Sequence, residues 1–266
     1  MLVLVASLSV VLVLVVAGFI SLAVLAAARR AGEDRARARG LAIRVAAALG
    51  AWLALIGALG ASGALSSFDA RPPRLMLVPL GAVVGLVILT RTATYRRLLE
   101  VASPSWPIAI QAMRVPIELG LWALFAAGRL PVHLTFEGRN VDVLVGLTAP
   151  VVAVALSRGW IGARAAALWN VASLGALANI VFMAITSLPG PLHLPWPGVP
   201  NTVVAEFPFV WLPGFLVPVA LFGHVASLRQ LLPGRRGSSG HGPRWSARAA
   251  SERYSCVDGC SRLRPR

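Results

Sequence analysis

Apolar residues run along this chain in long unbroken blocks separated by short polar connections, with neither the alternation of a half-buried strand nor the one-sided stripe of a surface helix. Seven blocks reach or approach the ~20 mainly apolar residues that cross a bilayer as a helix. They are 3–28, 44–65, 74–90, 107–128, 141–157, 165–187 and 205–228. The fifth is short and must stand untilted or borrow from its flanks. Pro79 in the third block, and Pro208, Pro213 and Pro218 in the seventh, predict kinks rather than breaks, because neighbouring helices can re-satisfy the carbonyls that proline frees. Gly57 with Ala61, and Gly81 with Gly85, are small residues four apart that would let backbones approach; such pairs are also common in any Ala/Gly-rich helix. Thr94 to Ala102 predicts a short amphipathic helix at the interface, before Pro104 and an anchoring Trp106. The predicted fold class is all-α: a polytopic membrane helix bundle of about seven transmembrane helices over residues 1–231. A disordered basic cytoplasmic tail would follow over 232–266.

Composition agrees with that pattern. Of the 266 residues 57% are hydrophobic and only 13% charged, with mean hydropathy +0.76, where a soluble domain carries roughly a quarter of its residues charged. The net charge of +15 would suit nucleic acid, but the basic residues, all arginine, sit in short runs between apolar blocks, where a bilayer protein keeps them. No nucleic-acid partner is expected; the partner is the lipid bilayer. Twenty arginines fall in one alternate set of connections and four in the other. The bias predicts an N-terminus outside and a C-terminus in the cytoplasm, in a multi-pass protein of the bacterial inner (cytoplasmic) membrane. The first block lacks a basic leading region and ends at Arg29-Arg30, so a retained span is expected rather than a removed signal peptide.

Candidate chemistry lies where charge enters an apolar block, since an ionisable side chain at bilayer depth must be paired or hydrated. Arg114 and Glu118 are four apart on one helix face, with Gln111 a turn earlier. A rise of about 1.5 Å per residue puts Arg114 roughly 10 Å into its block and Glu118 near the midplane. The same count gives Asn170 and His224 matching depths in the sixth and seventh blocks, with Ser227 a turn below His224. Arg114, Asn170 and His224 are thus expected to meet in one polar layer, with Glu118 just above it. Such a layer would serve a small polar or anionic ligand, Arg114 attracting an anionic group and Glu118 handling a proton. The plainer alternative is a self-neutralising Arg114–Glu118 pair that locks packing.

A second cluster precedes the fifth block in Thr135-Phe-Glu-Gly-Arg-Asn140, with Asp142 close behind. Asn140 fits an N-cap, Asp142 suits the helix dipole, and Gly138 would let the loop turn tightly. Capping leaves Glu137 and Arg139 without a role. The stretch 189–213 holds seven of the 19 prolines with Trp196, Asn201, Glu206 and Trp211, a rigid loop suited to a lid or a plug. Cys256 and Cys260 lack a second ligand pair, so no metal site is expected. A b-type haem would want two intramembrane histidines, and only His224 qualifies; no cofactor is expected. Nucleophile-elbow, zincin and phosphate-loop motifs are missing from the sequence.

Arg114-Val-Pro-Ile-Glu118, Leu134-Thr-Phe-Glu-Gly-Arg-Asn-Val-Asp142, Gly146-Leu-Thr-Ala-Pro150, Trp169-Asn170 and Pro200-Asn201 resemble a group of bacterial polytopic integral membrane proteins with no assigned activity. The resemblance covers the fourth to seventh blocks. It implies the architecture and contributes no mechanism. Three functional classes follow from the residues: a small-solute or proton-coupled transporter or ligand-binding membrane protein; a membrane-embedded enzyme acting on lipid or envelope material, with Glu137 as general base; or a non-catalytic subunit or assembly factor of a membrane complex.

Overall fold

The computed structural model describes residues 1–232, which are helical without a strand among them. Residues 233–266, including Cys256 and Cys260, lie outside the described residues. The helices are α1 (Leu2–Arg30), α2 (Arg35–Ala61), α3 (Leu77–Arg91), α4 (Ala93–Val101), α5 (Trp106–Ala109), α6 (Arg114–Ala126), α7 (Asp142–Ser157), α8 (Ala163–Thr186) and α9 (Val217–Leu231). Short 3₁₀ turns lead into α3 and join α5 to α6, and a π turn, Leu212–Leu216, leads into α9. Counting those turns, six helices are long and apolar enough to cross a membrane. The expected fifth span is α7, whose 16 residues reach only about 24 Å.

Helix ends follow capping rather than hydropathy. α2 begins nine residues before the apolar block expected from Arg44, because Asp34 caps it by accepting the Arg37 N–H at 2.8 Å and Arg35 to Arg44 continue the helix. Thr92 caps α4 in the same way, accepting the Tyr95 N–H at 3.2 Å, and α4 buries none of its residues. The block expected from residue 205 becomes helical only at Leu212; Val203–Ala205 is a 3₁₀ turn.

Polar contacts gather the arginine-rich connections at one end of the bundle. Arg97 donates to Glu33 at 2.6 Å and to the Ala31 carbonyl at 2.9 Å. Gln230, at the end of α9, donates to the Leu99 and Ala102 carbonyls at 2.8 Å, and the Arg30 guanidinium stacks on Trp106 at 4.6 Å. At the other end Arg129 pairs with Glu206 at 2.7 Å. Between these ends the outer surface is apolar: Leu8, Leu14 and Leu22 on α1, Leu80 and Ile88 on α3, Leu144 and Val151 on α7 and Leu168 on α8 are all exposed. A patch that large needs an apolar solvent, and with the six long apolar helices it gives the chain the make-up of a membrane protein.

α6 and α9 form the inside of the bundle. Some 56% of the most apolar window ending in α9 is buried and 39% of that ending in α6, against 11–17% in the first three helices. α9 is held in place through its proline. Pro218 has no N–H for the Gly214 carbonyl four residues back. The Trp52 indole of α2 supplies the donor instead, at 2.9 Å, and the Trp211 indole donates in return to the Leu53 carbonyl at 2.9 Å. Gly60, a turn further along α2, makes room for the 207–210 segment, since a Cβ there would sit 2.8 Å from Val210, whereas Gly57 would make only ordinary contact and Gly85 borders open space.

Replacing Trp52 by Phe keeps the ring but leaves the Gly214 carbonyl bare, which costs about 1–3 kcal/mol for a buried acceptor. The expected result is a lower thermal midpoint for Trp52→Phe in detergent, with the exposed Trp160→Phe as the unchanged control.

Candidate functional site

Pro116 organises the entry to α6. Lacking an N–H, it cannot close an α turn on Ala112, and Ile110–Met113 winds as a 3₁₀ turn. At about three residues per turn, positions three apart eclipse, so Gln111 lies over Arg114 and accepts from its Nε at 3.2 Å. The Gln111 amide in turn donates to the Ala220 carbonyl of α9 at 3.0 Å. This contact needs Gly223, where a Cβ would fall 2.6 Å from Gln111 Nε2. On the other side α7 presses against α6 at Gly146, where a Cβ would meet the Val115 backbone nitrogen at 2.8 Å. That approach brings Asp142 to Arg114 Nη1 at 2.7 Å.

The third arm of Arg114 runs to α9 and α8. Asn170 spends its Nδ2 on the Ala166 carbonyl at 2.8 Å and Ser227 Oγ at 3.0 Å. Its Oδ1 therefore accepts from His224 Nδ1 at 2.9 Å. His224 Nε2 is then the bare nitrogen, and Arg114 Nη2 donates to it at 3.0 Å. The structure thus joins Arg114, Asn170, His224 and Ser227 in one chain of hydrogen bonds, with Gln111 and Asp142 on its flank.

Glu118 belongs to the same region through a different partner. Arg114 forms its ion pair with Asp142, 28 residues away, and not with the glutamate one turn along its own helix. Glu118 Oε1 accepts from Asn140 Nδ2 at 2.6 Å. Asn140 also donates to the Leu134 carbonyl at 3.1 Å and accepts the Asp142 N–H at 3.0 Å. The N-cap of α7 is Val141 rather than Asn140, which the sequence suggested; Asn140 lies one residue earlier, turns the chain through its bond to the Asp142 N–H, and binds Glu118 as well. Asp142 is more than a dipole partner, because its carboxylate lies inside the bundle. Gly138 is required by space rather than by φ: a Cβ there would overlap the Val132 carbonyl, and its φ is not positive. Glu118 is 1% exposed, and its second oxygen, Oε2, has no hydrogen-bond partner among the described residues.

The other two loop candidates part company with this network. Glu137 is exposed and accepts the Trp122 indole N–H at 2.7 Å. Arg139 lies over Trp196 at 5.5 Å, and its carbonyl accepts from Asn179 at 3.0 Å. Trp196 also stacks on His133 at 4.5 Å. His133, which the sequence reading did not single out, is buried and meets Ser187 Oγ at 2.6 Å. Both border an outer cavity of about 340 Å³ with His193, Trp196 and Gly190. The only sequence signal for this pair was the position of His133 between Pro131 and Thr135, ahead of the polar loop. Burial, aided by the charge of Arg139, holds the His133 imidazole below its ordinary pKa of 6.5.

A second cavity, about 120 Å³, lies between α3, α6, α8 and the π turn. Its walls are apolar except for Arg114, Glu118, Asp142 and Asn201. Asn201 donates to the Ala184 carbonyl at 3.2 Å through Nδ2, and its buried Oδ1 has no partner among the described residues. Among the described residues no cluster of three or more potential ligand side chains could hold a metal ion.

Residues 72–232 match the family model described as a domain of unknown function, DUF8737. The chain belongs to this family. No curated protein and no solved structure matches it. The DUF8737 segment contains every residue of the polar network and both cavities, and leaves α1 and α2 outside.

Two outcomes follow from these contacts. Asp142→Leu strands the Arg114 charge in the bundle and should cost about 3–5 kcal/mol, whereas the double variant Arg114→Met/Asp142→Leu removes both charges and should lose much less; unfolding of the two proteins in mixed micelles checks this. For His133, the unfolded state takes up a proton before the folded state does. Stability is therefore fully present above pH 6.5 and falls as the pH drops from that value toward the depressed folded pKa. The acid-side loss should be smaller in His133→Gln.

Proposed function

We propose that this protein is a seven-helix, multi-pass protein of the cytoplasmic membrane that binds a small ligand within its bundle and handles a proton at Glu118. The observation that carries the reading is the arrangement around that carboxyl group. Arg114 is matched by Asp142, so Glu118 adds a second carboxyl group to a layer holding one guanidinium. One of its oxygens is held by Asn140 and the other has no partner among the described residues, beside a cavity that Glu118 helps to line. A buried carboxyl group in that position is suited to exchanging a hydrogen bond or a proton with a bound molecule. With Gln111, Asp142 and His224 on its three arms, Arg114 acts as the frame of the site rather than as a free anion receptor. The orientation, N-terminus outside, rests on the arginine bias of the connections and on the contacts that gather Glu33, Arg97 and Gln230 at one end. In this reading α7 is the shortest span, supported by its neighbours.

The enzyme alternative based on Glu137 has weaker support, since that side chain is exposed and engaged by Trp122.

Native mass spectrometry of gently extracted protein tests the proposal. The wild type should carry a bound small molecule that Glu118→Gln loses and Glu137→Gln retains. A bare polypeptide mass for the wild type, with Glu118→Gln more stable than wild type, would overturn it.

A further inference from the structure

Resting on that reading, we infer that the ligand is a hydroxyl-bearing amphiphile taken from the bilayer, its apolar part in the cavity beside α3 and α8 and its hydroxyl on the polar lining that Glu118 and Asn201 supply. Three features of the cavity select this class. All but four of its 22 lining residues are apolar, among them Leu75, Ile117, Leu177, Val204 and Leu216. A hydrated ion or sugar would shed its water there without replacement, whereas a hydrocarbon loses nothing.

The second feature is the state of the four polar lining residues. Arg114 is engaged by Asp142 Oδ1, Gln111 and His224, and Asp142 holds its counter-charge through that one oxygen. Glu118 Oε2 and Asn201 Oδ1 do not have a partner among the described residues, and each residue is only 1% exposed. Both oxygens are acceptors when Glu118 is ionised, so the missing group is a donor. They arrive from separate elements, α6 and the loop before Val203–Ala205. A carboxylate ligand would face oxygen atoms; an ammonium has three donors for two acceptors. A hydroxyl donates to an ionised Glu118 and accepts from a protonated one, its one O–H serving one of the two oxygens at a time.

Size is the third feature. The volume of about 120 Å³ is a little below that of engineered apolar cavities of roughly 150 Å³ that take up benzene. It accommodates a ring or a short hydrocarbon segment, not a whole phospholipid. The same chemistry is offered by a compact phenol and by the head of a long-chain alcohol.

The test is thermal unfolding of the detergent-solubilised full chain with decan-1-ol, phenol, decyl methyl ether, decylammonium and decanoate. The expected result is a rise in midpoint with an alcohol and little change with the ether, which lacks the donor. Phenol and decan-1-ol separate a compact ligand from a chain-bearing one, and a rise with either supports the assignment. Ala184→Leu, which fills the cavity and keeps the backbone carbonyl that Asn201 binds, should abolish the rise; Asn201→Leu should reduce it severalfold. An ether effect equal to that of decan-1-ol, or a rise with decylammonium or decanoate alone, would overturn the hydroxyl assignment while leaving a ligand site, provided Ala184→Leu still removes it. If no probe moves the midpoint and native spectra show a bare chain, the ligand-binding reading falls as well.

Discussion

A guanidinium held among apolar helices has to be matched, and the rest of the bundle is arranged around the way Arg114 is matched. Its counter-charge, Asp142, stands on the first turn of α7, so α7 must approach α6 closely enough for the two side chains to touch. The approach is possible because position 146 is glycine. Another arm reaches His224, so α9 must present its histidine at that depth, and Asn170 of α8 sets the tautomer that lets the histidine accept. Four helices are thus registered against one side chain. Buried ion pairs of this kind add little net stability compared with apolar packing, and their attested use is to specify an arrangement. Here they specify how α6, α7, α8 and α9 meet.

Outside this layer the structure relies on different means. The outer faces of α1, α3, α7 and α8 are apolar and do not specify partners. α2 and the start of α9 are instead tied by two indoles, each donating to a carbonyl of the other segment. One of those carbonyls was freed by a proline. Beside the polar layer lies the apolar cavity, with Glu118 Oε2 and Asn201 Oδ1 on its lining residues and without partners among the described residues.

Much of this was legible from the spacing of residues. Block lengths give the helices, and counting depth along them brings Arg114, Asn170 and His224 to a common level, where the structure joins them. What the count could not supply was lateral information. Asp142 reads as a capping acid because its position at a helix start explains it fully; only the fold shows that α7 turns that residue inward to Arg114. Four-residue spacing on a single helix allows the Arg114–Glu118 pair that was the plainer alternative, but cannot show that a residue of another helix is nearer. His133 and Ser187, 54 residues apart, carry no local pattern that would pair them. Hydropathy also located the apolar portion of α2 but not its beginning, since Asp34 and the arginines extend the helix beyond the oily stretch.

The π turn at Leu212–Leu216 has a consequence for azimuth. Each residue of an α-helix advances the side chain by about 100°, and a five-residue hydrogen-bonded loop inserts one residue beyond the α repeat. A helical wheel drawn with the α repeat through residues 205–228 therefore misplaces the side chains ahead of Val217, and Trp211, which precedes the turn, addresses α2 while His224 addresses Arg114.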